Sequence, residues 1–267
     1  ADLNKCNSEQ KLNSSKKATF RMILTAAGIA LITPIMTIPA VIASALFKPG
    51  KFTFYTMKVW NKIVAKLMGI KVSLSGLENL KPNTSYIITP NHQGVADILA
   101  IVSTLPVRFR WVVKRELFKV PVWGWALWAT GAIAIDRSNS AGAIAKLNKE
   151  KDEKLKDGWS VLIYPEGTRT PDGYLKEFKK GAFMMAVQTG IPILPIVCNG
   201  AFKIMPKKML AFRPGKVMLT ICPPILTKGL TETDVPELVA KTRDAILTRL
   251  RPDYDPFSKS ALCSDRV

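Results

Sequence analysis

The sequence predicts a layered α/β domain with a largely buried sheet, preceded by an apolar helical segment. From residue 71 onward, short apolar runs alternate with helical patterns, as in a sheet that is covered by helices. Before that point, residues 22–47 contain no charged side chain. The chain has 267 residues, 48% of them hydrophobic, which is enough for one sizeable domain and an appendage.

Composition divides the chain into four segments. Residues 1–17 are rich in Asn, Ser and Lys and are expected to form a loose polar tail. Residues 18–70 are expected to form a membrane-associated helical motif, and residues 71–250 the α/β domain. Residues 251–267 are polar and are expected to be a frayed tail.

The apolar run at residues 22–47 is long enough to cross a hydrocarbon core of about 30 Å as a helix. Pro34 and Pro39 lie within it, and each removes a helix donor. The run therefore predicts either one kinked span or a helical hairpin that dips into one leaflet. Basic residues on both flanks favour the hairpin. A signal peptide is the competing interpretation, although the run exceeds the usual ~7–15 apolar residues.

Residues 54–68 predict an amphipathic helix. Lys58, Lys62 and Lys66 recur at every fourth position on one face, and apolar residues occupy the other face. Such a helix suits a membrane surface. It suits an ordinary surface helix packed on the core equally well, so both interpretations stay open.

The charge of the chain predicts an anionic partner. Lys and Arg number 39 and Asp and Glu 20, which gives a net charge of +19. The apolar run favours an anionic phospholipid membrane, and no basic stretch shows the aromatic pattern of an RNA-binding sheet, so no nucleic-acid partner is expected. The four cysteines lie far apart and there is one histidine, so neither a disulfide framework nor a metal site is predicted.

The alternating part of the chain predicts seven strands and four helices. The strands are expected at residues 72–74, 86–89, 109–113, 132–135, 161–164, 193–197 and 217–221. The helices are expected at residues 97–105, 141–156, 181–188 and 236–250.

The only histidine follows the second predicted strand. That strand ends at Pro90 and a helix begins near Asp97, so His92 lies where ligands bind in open α/β sheets. Asp97 can cap the helix and face back toward His92 if the chain turns at Gly94. A carboxylate on one imidazole nitrogen raises the basicity of the other, which makes the pair a candidate base for an alcohol attacking an acyl group. The alternative is a capping Asp beside a satisfied loop His.

The fifth predicted strand runs into a tight polar turn formed by Glu166, Gly167, Thr168 and Arg169. Gly167 lets the backbone approach a ligand, Thr168 offers a hydroxyl, and Arg169 offers a fork of donors suited to phosphate. Glu166 is expected either to hold Arg169 or to bind a substrate hydroxyl. The alternative is a surface turn with a local ion pair.

Basic residues also follow other strands. Lys114 and Arg115 follow the third predicted strand, and Arg137 follows the fourth. If these strand ends share one edge of the sheet, the basic side chains form a cationic pocket beside His92.

Two further features are apolar. Residues 190–196 predict a buried strand, with an acyl-chain groove as the alternative. Trp123, Trp125 and Trp128 belong either to a face at the membrane interface or to a packed helix.

Three of these features occur in the order of known family motifs. They resemble motifs of the glycerolipid acyltransferases. The first motif is Asn91 and His92 followed by Asp97, the second is the turn at residues 166–169, and the third is the segment 191–195. Residues 114–137 are similar to the remaining block of that family. Over residues 71–225 the sequence resembles the 1-acyl-sn-glycerol-3-phosphate acyltransferase (lysophosphatidic acid acyltransferase) family, bacterial type.

The resemblance implies a mixed sheet behind an N-terminal two-helix membrane motif. It implies an acyl thioester donor (acyl-CoA or acyl carrier protein), lysophosphatidate as acceptor, phosphatidate as product and no separate cofactor. The enzyme is then expected at the cytoplasmic face of the inner membrane, held by its apolar segment.

The resemblance also implies roles for the site residues. His92 would be the general base on the free glycerol hydroxyl, and Asp97 would orient it. The substrate-binding residues would be Lys114, Glu166, Gly167, Thr168, Arg169 and Arg137.

Other functions stay open. A different lysophospholipid is an alternative acceptor. A non-catalytic module for anionic membranes and a nucleic-acid binder are the alternatives from other classes.

Overall fold

The structure is a computed structural model that describes residues 2–47, 50–135, 155, 158–205, 211–254 and 256, with side chains from residue 19 onward. Its helices are α1 (Asp2–Phe47), α2 (Lys51–Leu67), α3 (Val95–Thr104), α4 (Trp123–Ala129), α5 (Gly181–Thr189), α6 (Ala201–Ile204) and α7 (Val235–Leu247). Its strands are β1 (Ile70–Ser75), β2 (Ile87–Pro90), β3 (Phe109–Lys114), β4 (Ile133–Ile135), β5 (Ser160–Leu162), β6 (Ile193–Asn199) and β7 (Gly215–Ile221).

The seven strands form one sheet in the order β1-β7-β6-β2-β5-β3-β4. All neighbouring pairs are parallel except β6 and β7, which are antiparallel. Every residue of β2 and β6 is buried, as expected for strands covered on both faces. The predicted layered α/β fold with a mixed, largely buried sheet is therefore confirmed.

The direction of the strands positions the functional segments. Strands β6, β2, β5 and β3 all run the same way, so their carboxyl ends meet at one edge of the sheet. Because β2 and β5 are direct neighbours, the loop that carries His92 lies beside the turn that carries Arg169. The predicted helix at residues 141–156 lies outside the described residues, apart from residue 155.

Helix α1 corrects two expectations about the N-terminus. Its backbone is helical from Asp2, so residues 2–17 do not form a loose tail, and no proline or glycine interrupts the chain before Gly28. The helix also continues through Pro34 and Pro39. The run at residues 22–47 is therefore a single helical segment and not a hairpin.

The hairpin forms instead between α1 and α2. The two helices pack antiparallel: Trp60 Nε1 donates to Thr33 Oγ1 at 3.2 Å, and Thr25 Oγ1 donates to the Leu67 carbonyl at 3.4 Å. Among the described residues, the segment Thr19–Phe47 is long and apolar enough to cross a membrane. At about 1.5 Å per residue its 29 residues exceed a hydrocarbon core of about 30 Å.

Helix α2 packs on the domain, as the second interpretation of its sequence expects. Phe54 is 2% exposed, and its ring lies 5.5 Å from the rings of both Phe109 and Trp159. Lys58 Nζ donates to the Leu105 carbonyl at the C-terminal end of α3 at 3.0 Å. Phe52 stays exposed on the opposite face.

The described start of the C-terminal segment is also tied to the domain and is not frayed. The backbone N–H of Arg251 donates to Asn199 Oδ1 at 2.7 Å, and the N–H of Lys216 donates to the Pro256 carbonyl at 3.0 Å. The Asn199 side chain of β6 and the Lys216 N–H of β7 thus bind this segment and hold it in place.

The aromatic contact between α2 and the sheet yields a stability prediction. Replacing Phe54 with Ala removes a fully buried ring and should destabilise the protein by about 3–5 kcal/mol, measured by denaturant unfolding in detergent. Phe52→Ala on the exposed face is the matched control and should change the free energy of unfolding by less than about 0.5 kcal/mol. Equal effects of the two substitutions would show that α2 does not pack as described.

Candidate active site

The loop that follows β2 is anchored to β6 by Asn91. The Asn91 side chain donates from Nδ2 to the Cys198 carbonyl at 2.9 Å, and its Oδ1 accepts the Cys198 N–H at 2.7 Å. The side chain thereby continues the ladder between the two strands beyond the end of β2. This anchor fixes the position from which His92 leaves the sheet.

The structure brings His92 and Asp97 together. His92 Nδ1 lies 3.1 Å from Asp97 Oδ2, and the Asp97 side chain is completely buried. Among the described residues the carboxylate has four hydrogen-bond partners: His92 Nδ1, the backbone N–H groups of Gln93 and Gly94, and the Tyr164 hydroxyl. Asp97 occupies the third position of α3, and its side chain accepts the backbone N–H of Gly94, the N-cap residue of that helix. It therefore also caps the N-terminus of α3.

Gly94 is required here for a reason that the sequence does not reveal. Its backbone is extended, with φ of −167°, so the position does not need the left-handed conformation expected of a turn glycine. A Cβ at this position would lie 2.6 Å from the Met205 carbonyl oxygen and 3.0 Å from that of Ala201. Glycine therefore lets the start of α3 approach the backbone around α6.

The segment after β5 grips the main chain of His92 on both sides. Glu166 Oε1 accepts the His92 N–H at 2.6 Å, and the Thr170 N–H donates to the His92 carbonyl at 2.9 Å. Gln93 Nε2 adds a bond to the Gly173 carbonyl at 3.2 Å. These contacts join the two loops into one rigid unit.

Glu166 is buried against backbone N–H groups and does not pair with Arg169, the partner that the sequence suggested. It is 3% exposed, and its second oxygen accepts the Lys176 N–H at 3.1 Å. Within the described residues it forms no ion pair with Arg169. Burial raises the pKa of Glu166, although the two N–H donors oppose this shift. Its carboxylate is occupied by backbone amides and holds the loops together.

The predicted basic residues lie around this unit. Lys114 ends β3, is about half exposed and pairs with Glu116 at 3.3 Å. Arg169 is partly exposed, and no ion pair or hydrogen bond ties it to the rest of the described chain. Arg137 lies outside the described residues.

Lys179 is a basic residue of the site that the sequence analysis misses. Gly167 has a φ of +70°, and a Cβ on it would lie 3.2 Å from the Lys179 side chain at Cδ and Cε, and 3.6 Å from Nζ. The Lys179 N–H also donates to the Pro165 carbonyl at 2.8 Å. Lys179 thus crosses the turn that carries Arg169, although no local pattern links residues ten positions apart.

Tyr164 is the second residue that the sequence analysis misses. Its ring stacks on the His92 imidazole, with centroids 3.8 Å apart and planes 20° apart. Its hydroxyl donates to Asp97 Oδ1 at 2.9 Å. The only sequence signal is its place as the last aromatic residue of the strand segment before the polar turn.

An apolar cavity of about 200 Å³ lies between the N-terminal helices and the domain, with walls from α1, α2, α3, β3 and α4. Trp111 forms part of its wall and stacks on Tyr164 at 6.4 Å. Two rings therefore separate the cavity from the His92 imidazole. Every residue of β6 (Ile193–Asn199) is buried and none of them lines this cavity, so this part of the predicted segment 190–196 is a buried core strand.

The arrangement suits proton transfer beside a cationic, partly apolar site. Since Asp97 engages Nδ1, Nε2 is the nitrogen of His92 that is left to take a proton from a substrate. The strand-end lysine, the arginine of the turn and Lys179 supply positive charge to the same edge of the sheet. The cavity supplies an apolar surface.

Comparison with known proteins gives matches over the same region. A family model described as "Acyltransferase" matches residues 71–199. The human 1-acyl-sn-glycerol-3-phosphate acyltransferase alpha is 37% identical over 185 residues, which are 69% of this chain and 65% of that protein. The chain thus spans slightly less than two thirds of the human relative.

Two bacterial proteins are also similar. The 1-acyl-sn-glycerol-3-phosphate acyltransferase of Pseudomonas aeruginosa is 39% identical over 67% of this chain and 68% of its own length. The crystal structure of the 1-acyl-sn-glycerophosphate acyltransferase from Thermotoga maritima superposes with a TM-score of 0.69 and 26% identity. That match covers 87% of this chain and 98% of the other.

The position of Glu166 yields a prediction that is independent of activity. Glu166→Ala leaves two backbone N–H donors without their acceptor and should destabilise the fold by about 1–3 kcal/mol, measured by denaturant unfolding. The raised pKa means that the folded chain binds this proton more readily than the unfolded chain. The difference in the free energy of unfolding between the wild type and Glu166→Ala should therefore grow as the pH falls from 8 towards 4.5, the ordinary pKa of a glutamate.

Glu177→Ala, at an exposed position in the same segment, is the matched control for Glu166→Ala. It should change stability by less than about 0.5 kcal/mol. If Glu166→Ala is as stable as this control, Glu166 does not hold the two loops together through the His92 and Lys176 N–H groups.

Proposed function

This chain belongs to the family of the 1-acyl-sn-glycerol-3-phosphate acyltransferases, and from that premise we propose that it moves a fatty acyl group from an acyl thioester to the free hydroxyl of lysophosphatidate, giving phosphatidate. The observation that carries the proposal is the His92–Asp97 pair, 3.1 Å apart, at a strand end beside a basic turn. This pair is the type of base that acyl transfer to an alcohol requires.

The reaction then follows from the geometry of the imidazole. Nε2 of His92 removes the proton of the glycerol hydroxyl as the oxygen attacks the thioester carbonyl carbon. The carbon–sulfur bond breaks when the tetrahedral intermediate collapses, and the imidazolium returns the proton to the departing thiolate. The Asp97 carboxylate accepts a hydrogen bond from Nδ1–H throughout and stabilises the imidazolium without taking its proton.

The phosphate of the acceptor is proposed to bind to the cations around the turn. Arg169 offers a planar fork of donors, and Lys114 and Lys179 offer flexible ammonium groups. Gly167 and Thr168 supply the turn over which the phosphate would lie. Arg137 stays a prediction of the sequence, and Glu166 is assigned to holding the loops.

The acyl chain is proposed to enter the apolar cavity. Its walls are almost entirely apolar, and the rings of Trp111 and Tyr164 lie between it and His92. An acyl chain in the cavity would reach the base with its thioester by passing around these rings. Either acyl-CoA or acyl carrier protein serves as donor in this proposal.

The membrane is proposed to deliver the lipid substrate. The apolar segment Thr19–Phe47 would hold the chain in the lipid, and the exposed Trp123, Trp125 and Trp128 of α4 suit the headgroup level. The net charge of +19 favours an anionic surface. The proposed location is the cytoplasmic face of the inner membrane.

Removing the base tests the mechanism directly. His92→Ala should lower the rate of phosphatidate formation by about 10²–10⁴-fold, measured by mass spectrometry with lysophosphatidate and either donor. The unfolding midpoint should change little, because Glu166 and Thr170 hold the main chain of residue 92. Near-normal phosphatidate formation by a folded variant would refute the mechanism.

Removing the cations tests the phosphate site. Arg169→Gln and Lys179→Gln should each raise the KM for lysophosphatidate about tenfold, since each loses about 1.4 kcal/mol of charge-assisted binding. The KM for the acyl donor should stay within about twofold. A panel of other lysophospholipids, with product masses recorded, tests the alternative acceptors.

Lys180→Gln is the matched control for Lys179→Gln, because Lys180 is the next residue, is exposed and is the N-cap residue just before α5. It should leave all KM values unchanged. If Lys179→Gln behaves like Lys180→Gln, Lys179 does not bind the acceptor.

A further inference from the structure

The Asp97 carboxylate divides its partners unequally between its two oxygens. Oδ2 meets His92 Nδ1 and two backbone N–H groups, all belonging to residues just before α3. Oδ1 accepts from Tyr164, which comes from the segment after β5. Within the described residues, Tyr164 is the sole hydrogen-bond partner of Oδ1. The Tyr164 hydroxyl therefore holds the one oxygen of the carboxylate that the loop before α3 leaves without a donor.

The ring of Tyr164 contacts the imidazole of His92, the partner of Asp97. It lies parallel to the imidazole at 3.8 Å, and Trp111 stacks on it at 6.4 Å with planes 21° apart. The wall of the cavity, the tyrosine and the imidazole thus form a stack of three near-parallel rings. Such a stack restricts the tilt of the His92 ring.

Tyr164 is suited to this task because it remains a donor. Burial, followed by the charge of Asp97, raises the pKa of Tyr164 well above its ordinary value. The neutral phenol is therefore favoured across the working pH range, and its hydroxyl keeps its proton toward Oδ1. The Gln93 and Gly94 N–H groups and the Tyr164 hydroxyl already donate to the Asp97 carboxylate. Asp97 is therefore an acceptor, and it accepts its fourth hydrogen bond from the Nδ1–H of His92.

We propose that Tyr164 is a positioning residue for the base: its hydroxyl fixes the Asp97 carboxylate and its ring fixes the imidazole, so that Nδ1 keeps the proton and Nε2 stays free. A phenylalanine at this position would keep the stack and lose only the hydroxyl. The two contacts can therefore be separated by substitution. The kinetic consequence rests on the proposed acyl transfer, whereas the protonation of the imidazole does not.

The single histidine makes the imidazole directly observable. Protein labelled with ¹⁵N-histidine and prepared without a histidine tag gives nitrogen signals from His92 alone, and these signals distinguish the two neutral tautomers. We expect the Nδ1-protonated form to predominate in the wild type. Its share should fall in Tyr164→Phe and fall further in Tyr164→Leu, which removes the ring as well.

The kinetic arm uses the same variants with lysophosphatidate and acyl-CoA. Tyr164→Phe should lower kcat about tenfold and Tyr164→Leu about a hundredfold, with both KM values within twofold of wild type. Tyr86→Phe is the matched control, because its buried hydroxyl accepts the Lys81 N–H at 2.9 Å outside the site. It should keep the wild-type kcat and the wild-type tautomer.

Two results would overturn the proposal. One is a Tyr164→Phe protein with wild-type tautomer and wild-type kcat. The other is a rise in the KM for lysophosphatidate with an unchanged imidazole spectrum, since Tyr164 would then contact the substrate and not position the base. Absence of turnover in the wild type with every acceptor contradicts the proposed function instead, and the tautomer comparison still decides the role of Tyr164.

Discussion

A buried carboxylate is the constraint around which this edge of the sheet is built. Asp97 has no exposed surface, and an ionised group out of contact with water is tolerated only when hydrogen bonds replace its hydration. Its donors come from the loop between β2 and α3 and from the segment after β5, and Asp97 itself belongs to α3. Satisfying one side chain therefore forces three segments of the chain into a single arrangement, and the imidazole is one of the donors so fixed.

Much of the fold can be predicted from the sequence because its signals are local. All seven strands lie within a few residues of the apolar runs that predict them, and the pairing of His92 with Asp97 follows from a short spacing with a small residue between. The order of the strands is not local. β2 pairs with β5 and β6, and no run of neighbouring residues specifies that choice. Glu166, Tyr164 and Lys179 acquire their positions through that pairing, so their contacts could not be predicted.

The N-terminal helices show what packing adds to interpretations that composition leaves open. The basic face and the apolar face of residues 54–68 are compatible with a helix on a lipid surface or with a helix packed on a protein core. The aromatic contacts of Phe54 and the bond from Lys58 to the end of α3 place α2 against the domain. Helix α1 then packs on α2, and Ser44 Oγ donates to the Ala129 carbonyl at 2.9 Å. The apolar cavity forms at this junction, with walls from both helices and from the domain.

The contacts of Glu166 and Thr170 with His92 involve only the main chain of His92. Glu166 binds its N–H and Thr170 binds its carbonyl, so neither contact depends on which side chain residue 92 carries. The scaffold of the site and its reactive group are thus encoded separately in the sequence. The same frame would hold a different functional group at the same point in space, which makes this position a natural place for new chemistry to arise without a new fold.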